Sequence, residues 1–271
     1  MRKTNSAAGA HPAVRAYAHR GGSYHPEIEG MENTLAAFEH AVALGYRHLE
    51  TDAHVTRDGV LLAFHDAVLD RVTDRRGAIA DLTYDEVRAA RVAGSHEVPR
   101  LADLFAAFPD VEFNVDLKSD GAVDALAEFL EATGQEDRVI VGSFSPARLR
   151  RFREVTRGRV RTSAHPLEVV AYLALPSGRL ADLVTRGRVS ALQIPHRRGL
   201  GPLRLTVARR SLVRKAHAAG KEVHVWTIDD PAEMAELLDR GVDGLMTDRT
   251  DVLKDLLLAR GQWHGRNGSA A

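Results

Sequence analysis

Short apolar runs recur along the chain, and between them lie stretches in which apolar positions return every three or four residues. The runs fall at residues 16–18, 48–53, 60–64, 111–117, 139–142, 159–163, 191–194, 222–227 and 243–246, and each predicts a strand. Most of the stretches between them predict helices. In the first, Leu35, Phe38 and Val42 share one face at the i, i+3, i+7 spacing. Asn33 or Thr34 stands where an N-cap belongs, and Gly45 where a glycine ends a helix. Asp230-Pro231 opens a later helix with a cap and a proline at its first position, and Gly241 follows its end.

Repeated strand-then-helix units predict a parallel sheet covered by helices. Eight of them in about 245 residues suit an α/β fold of the (β/α)8 TIM-barrel kind, which takes ~250. A doubly wound open sheet is the alternative. Gly21-Gly22 after the first strand lacks the GxGxxG spacing that would favour it. Residues 70–99 break the alternation and read as a small insertion after an extra strand pair, with one short helix around Tyr84 to Arg91. The expected organisation is a single catalytic barrel over residues 15–260, with flexible tails at 1–14 and 261–271.

Composition narrows the function. The chain has 271 residues, with Lys+Arg 37 against Asp+Glu 37. Zero net charge argues against a nucleic-acid partner, which needs concentrated positive charge. The absence of cysteine removes disulfides, thiolate metal sites and cysteine nucleophiles. The N-terminus has a basic start without the apolar stretch of a signal peptide. No segment approaches the ~18 apolar residues of a membrane span. A cytoplasmic protein without stable membrane insertion is expected.

In a parallel barrel the chemistry lies at the C-terminal ends of the strands. The first strand runs into His19-Arg20-Gly21-Gly22, which suits close approach of an anion or a plain turn with a surface arginine. The second ends in Glu50-Thr51-Asp52. Residues two apart on a strand face the same way, so both carboxylates point to one side. They either meet solvent and arginines or hold a hard divalent cation. His54 shares that face. The next run delivers His65-Asp66, and a second histidine near an acid pair suits general acid and base work. Asp116 and Lys118 are again two apart, and Lys118 is the only lysine between Lys3 and Lys215. It reads as a phosphate-binding charge or a surface lysine. Ser143-Phe144, Gln193 and Trp226 fall at further strand ends as pocket-lining or packing residues. His11, His25, His40, His217 and His264 read as solvated.

Taken in order, His19-Arg20-Gly21, Glu32-Asn33-Thr34, Glu50-Thr51-Asp52, Asp58-Gly59, His65-Asp66, Asp116-Leu117-Lys118, Val225-Trp226-Thr227, Gly241-Val242-Asp243-Gly244 and Thr247-Asp248 resemble the motifs of the glycerophosphodiester phosphodiesterase family over about residues 17–257. The resemblance implies a TIM barrel and a divalent-metal enzyme that releases sn-glycerol 3-phosphate and an alcohol. It implies that Glu50, Asp52 and Asp116 hold Ca2+ or Mg2+, and that His19 and His65 are the acid–base pair. Arg20 and Lys118 would then bind phosphate, with Glu32, Phe144 and Trp226 on the substrate. Two positions depart from the family pattern. Met31 stands where a proline usually precedes Glu-Asn-Thr, behind a longer loop at 23–30, and Asp116 stands where the third metal carboxylate is usually glutamate. A related lipid phosphodiesterase, acting on lysophospholipid or sphingomyelin, shares the same logic. A non-catalytic phosphate-ligand-binding barrel would have lost one of these groups, and all are present.

Overall fold

The computed structural model describes residues 14–200 and 203–265. Its strands in chain order are β1 (Arg15–His19), β2 (His48–Val55), β3 (Leu61–Ala63), β4 (Glu112–Leu117), β5 (Val139–Gly142), β6 (Arg161–Thr162), β7 (Ala191–Pro195), β8 (Arg197–Leu200), β9 (Leu203–Thr206), β10 (Glu222–Trp226) and β11 (Gly244–Thr247). β6, β5, β4, β2, β1, β11, β10 and β7 are neighbours in that order, all in parallel. A parallel bridge from Ser163 to Ala191 brings the two ends of this row together, and the Ala164 N–H donates to the Ala191 carbonyl at 2.9 Å. The fold is therefore a TIM barrel with helices around it.

The helices form where the pattern predicts and for the predicted reasons. Leu35–Ala43 starts at Thr34, whose side chain accepts the Ala37 N–H, and it buries Ala37, Phe38 and Ala41. Pro231–Arg240 starts at Asp230, whose side chain accepts the Glu233 N–H, and it stops at Gly241 in a left-handed conformation. One apolar cluster runs from Val14 to Leu257 between the strands and these helices.

All nine predicted strands are present, with ends shifted by a few residues. The run at 60–64 supplies β3, which lies outside the ring and pairs antiparallel with β2 through Ala53–Ala63, His54–Leu62 and Val55–Leu61. The insertion that follows carries the helix Tyr84–Val87, held by a Thr83–Glu86 capping box. It has its own small core of Leu62, Phe64, Leu69, Ile79, Val87, Ala90, Val92 and Val98. The antiparallel hairpin β8–β9 was not predicted. Of the tails, residues 1–13 and 266–271 lie outside the described residues. Within 261–265, Gln262 is buried and Trp263 packs edge-on to Tyr46 at 5.1 Å.

Candidate active site

β1 delivers His19 to the barrel mouth and then turns sharply. Arg20 has φ +49°, Gly21 +90° and Gly22 +87°, a backbone region that non-glycine residues rarely adopt. The turn also presses against its neighbours. A Cβ on Gly21 would stand 2.6 Å from the Ala37 Cβ, and one on Gly22 would stand 2.4 Å from the Thr250 Cγ2. The turn puts the Arg20 backbone N–H on Glu50, whose Oε2 accepts it at 3.1 Å.

Nine of the ten predicted site residues line one cavity of about 700 Å³: His19, Arg20, Glu50, Asp52, His65, Asp116, Lys118, Phe144 and Trp226. Strand parity places Glu50 and Asp52 inside, while Leu49 packs into the surrounding core. Glu32 is the exception. It does not line the cavity, because Arg71 from the insertion takes its carboxylate at 2.6 and 2.8 Å and Arg20 lies 3.3 Å away. It stands behind Arg20 as a support. His54 is buried and its Nε2 lies 3.1 Å from the His65 carbonyl, which ties the end of β2 to the segment carrying His65.

Each candidate catalytic imidazole rests on an aspartate. His19 Nδ1 lies 3.0 Å from Asp248 Oδ1, and His65 Nδ1 lies 2.6 Å from Asp66 Oδ1. An aspartate on Nδ1 fixes the ring and leaves Nε2 for proton transfer. Burial works against the charged form of His19, but Glu50 and Asp248 outweigh it and lift the group to about 8. Asp66 is held down at about 2, chiefly by its hydrogen bond from Arg71. Asp248 also accepts from Ser23 Oγ at 3.3 Å, and its backbone N–H donates to Asp229 at 2.8 Å.

Cations and acids interleave at the mouth. Lys118 Nζ lies 3.0 Å from Asp52 and 2.6 Å from Asp116. Arg20 Nε lies 3.1 Å from Asp52, close enough for an ion pair yet misaligned for a hydrogen bond. Asn33 donates to Asp52 at 3.0 Å. Burial opposes ionisation of Asp52, but Lys118 and Arg20 win and hold its carboxyl below the usual range. Glu50 goes the other way. Burial first, and the Asp52 charge next, push it up to about 7. The three carboxylates thus face one cavity with the Lys118 ammonium between Asp52 and Asp116, rather than in a closed cage. All-oxygen donors suit a hard divalent cation.

On the rim, Phe144 and Trp226 meet edge-to-face at 5.6 Å. Trp226 therefore borders the cavity rather than only filling the core. Phe144 is 62% exposed.

The glycerophosphoryl diester phosphodiesterase family matches residues 19–252. The chain belongs to that family. Membership makes it a phosphoric diester hydrolase. A probable glycerophosphodiester phosphodiesterase 2 of Mycobacterium tuberculosis is 40% identical over 235 residues, 86% of this chain and 88% of the relative. A lysophospholipase D, GDPD1, of Mus musculus is 28% identical over 274 residues, 90% of this chain and 86% of the relative. Among solved structures, an Oleispira antarctica phosphodiesterase in complex with the product sn-glycerol-3-phosphate superposes with TM-score 0.72. It is 21% identical and covers 90% of this chain and 97% of that one. Within this phosphodiesterase the sequence shows the groups at strand ends but not the contacts of Asp248 with His19 or of Arg71 with Asp66 and Glu32. Asp248 lies in the Thr247-Asp248 pair, but nothing local to it signals a partner 229 positions away.

Proposed function

We propose that this cavity hydrolyses glycerophosphodiesters to sn-glycerol 3-phosphate and an alcohol, with His19 and His65 as acid–base pair. The observation that carries the reading is the two imidazoles, each on its own aspartate, in one cavity with Glu50, Asp52, Asp116, Arg20 and Lys118. Glu50, Asp52 and Asp116 would hold a divalent cation, Ca2+ or Mg2+, which supplies positive charge for phosphate oxygens when bound. Arg20 and Lys118 add their own charge where negative charge builds during attack. One imidazole takes a proton from the attacking oxygen, either of water or of the substrate's glycerol 2-hydroxyl; in the second case a cyclic phosphate forms as the alcohol leaves, and water then opens it to glycerol 3-phosphate. The other gives a proton to the leaving oxygen. Phe144 and Trp226 border the alcohol. The neutral charge balance supports a small-molecule substrate over nucleic acid, and a cytoplasmic role in lipid and glycerol metabolism completes the reading. Among the described residues no helix is long and apolar enough to cross a membrane.

A second reading is a lysophospholipid substrate. It is favoured by Val169, Val170, Leu173 and Leu205 in the same cavity wall and by the lysophospholipase D among the relatives.

A panel of glycerophosphodiesters, assayed by coupled detection of glycerol 3-phosphate, tests the first reading. His19→Ala and His65→Ala should each lower kcat at least ~10²-fold. Chelator should abolish turnover, and Ca2+ or Mg2+ should restore it. Near wild-type kcat in both variants would remove the imidazoles from the chemistry, and full activity in chelator would remove the metal. Release of lysophosphatidic acid from lysophospholipid, with no turnover of glycerophosphodiesters, would favour the second reading.

A further inference from the structure

The loop at 23–30 folds back onto the helix Leu35–Ala43 and gathers two imidazoles and a carboxylate away from the cavity. One atom from each of His25, Glu27 and His40 lies within 4.8 Å of the other two. The His25 and His40 rings stand 4.3 Å apart, tilted by 59°. His40 Nε2 lies 3.1 Å from Glu27 Oε2, and His25 Nδ1 accepts the Glu27 backbone N–H at 3.2 Å. The pair is not solvated as the sequence suggested. His25 is 8% exposed, and His40 Nδ1 is buried without a hydrogen-bond partner.

We propose that His25, Glu27 and His40 form a second metal site, for a transition-metal ion of the zinc class, that clamps the 23–30 loop to its helix. The donor set decides the metal. Two imidazole nitrogens and one carboxylate oxygen suit Zn2+, whereas the three carboxylates of the cavity suit Ca2+ or Mg2+. Ligands around a tetrahedral zinc stand roughly 3.3–3.4 Å apart, from bonds of ~2.0–2.1 Å. The His40–Glu27 separation is already about that, and all three donor atoms lie within 4.8 Å of one another. Burial first, and His40 next, lower the pKa of His25. Glu27 is an exposed loop residue, its side chain 75% accessible, which leaves a path for the ion.

The clamp reaches the chemistry through the base of the loop. The His25 N–H donates to the Gly22 carbonyl at 2.9 Å, and the Gly22 N–H donates to the His19 carbonyl at 2.8 Å. The Tyr24 N–H donates to the Asp248 carbonyl at 3.1 Å, and Ser23 Oγ donates to the Asp248 carboxylate that holds His19. Fixing His25 and Glu27 on the helix therefore stiffens the segment that positions Asp248.

The test uses the full chain without an affinity tag, titrated with Zn2+ by calorimetry in excess Mg2+ that occupies the carboxylate cavity. One zinc equivalent should bind, and Co2+ in its place should give the visible absorption of a four-coordinate site. Glu27→Ala and His40→Ala should each weaken zinc binding at least ~10-fold, and the zinc-induced rise in Tm should disappear with them. Glu27→Ala keeps the test clear of folding defects, since that side chain is exposed. A control with Glu50→Gln and Asp52→Asn should retain the zinc. Zinc affinity unchanged in Glu27→Ala and His40→Ala, zinc lost in the Glu50/Asp52 control, or no zinc bound by the parent chain in excess Mg2+ would each overturn the proposal. None of these readouts requires turnover, so the outcome is independent of the proposed reaction.

Discussion

In the proposed mechanism Asp248 works through His19. Its carboxylate holds the imidazole Nδ1 at 3.0 Å, accepts Ser23 Oγ and stands on Asp229 through its own N–H. Asp248→Asn keeps the shape and removes the charge, so the ring loses both its preferred tautomer and its electrostatic support. We expect kcat to fall at least ~10-fold with KM changed less than about threefold, as for a positioning residue acting on the transition state. A steady-state comparison of glycerophosphodiester turnover checks this; unchanged kcat would detach Asp248 from catalysis. At this scale the sequence was readable where chemistry and parity coincide. Two-residue spacing put Glu50 with Asp52 and Asp116 with Lys118, and strand ends gave His19 and His65. The partners of those groups were hidden, because ring closure brings β11 beside β1 and the insertion carries Arg71 onto Asp66 and Glu32. No local pattern encodes either meeting.

The β1 turn and the helix after it form the unit on which the mouth depends. Gly21 sits against the Ala37 Cβ and the Ala37 backbone carbon, with room for no further atom, and its φ of +90° adds strain to any side chain. Gly21→Ala should cost more than about 2 kcal/mol of stability, read as a lowered denaturation midpoint, and should lower kcat because the helix can yield only by moving Asn33 and Arg20. A midpoint within error of the parent would show that the turn relaxes freely. Elements with strong local signals were legible. Thr34 and Asp230-Pro231 cap the helices they were expected to cap, and the insertion lies where the alternation stops. The hairpin β8–β9 was not legible. Its first strand opens Arg197-Arg198-Gly199, which shows no apolar alternation, and among the described residues it pairs only with β9. Its side of the cavity, including Arg197, Arg198 and Leu205, was missed with it.

Seen through the whole barrel, polar groups fill the interior as well as the mouth. Below the site, Tyr17 packs between His48 and His224 at 5.1 Å from each ring. Below these, Arg15 pairs with Glu222 and Glu112, while Arg161 reaches Glu112. These contacts join β1, β4, β6 and β10 across the floor, so strands distant in sequence are tied by charge as well as by the sheet. Glu222 is the clearest handle on that network. Its hydrogen bond with His224 is the largest influence; burial opposes ionisation, and Arg15 adds further support, leaving the carboxyl at about 2 against an ordinary 4.5. A carboxyl with a depressed folded-state pKa favours folding at pH values above its unfolded value, and that contribution fades as pH falls toward the folded value. Glu222→Gln removes the titration while keeping the shape. The parent chain should melt above the variant by a constant margin above about pH 4.5, and the margin should shrink as pH falls from there toward 2. Groups far from residue 222 cancel in the difference, so melting curves of the two proteins across that window read the Glu222 charge together with the partners it holds, His224 first. Parallel curves down to pH 2 would mean that the floor is held by packing and the sheet, with the Glu222 charge carrying none of it.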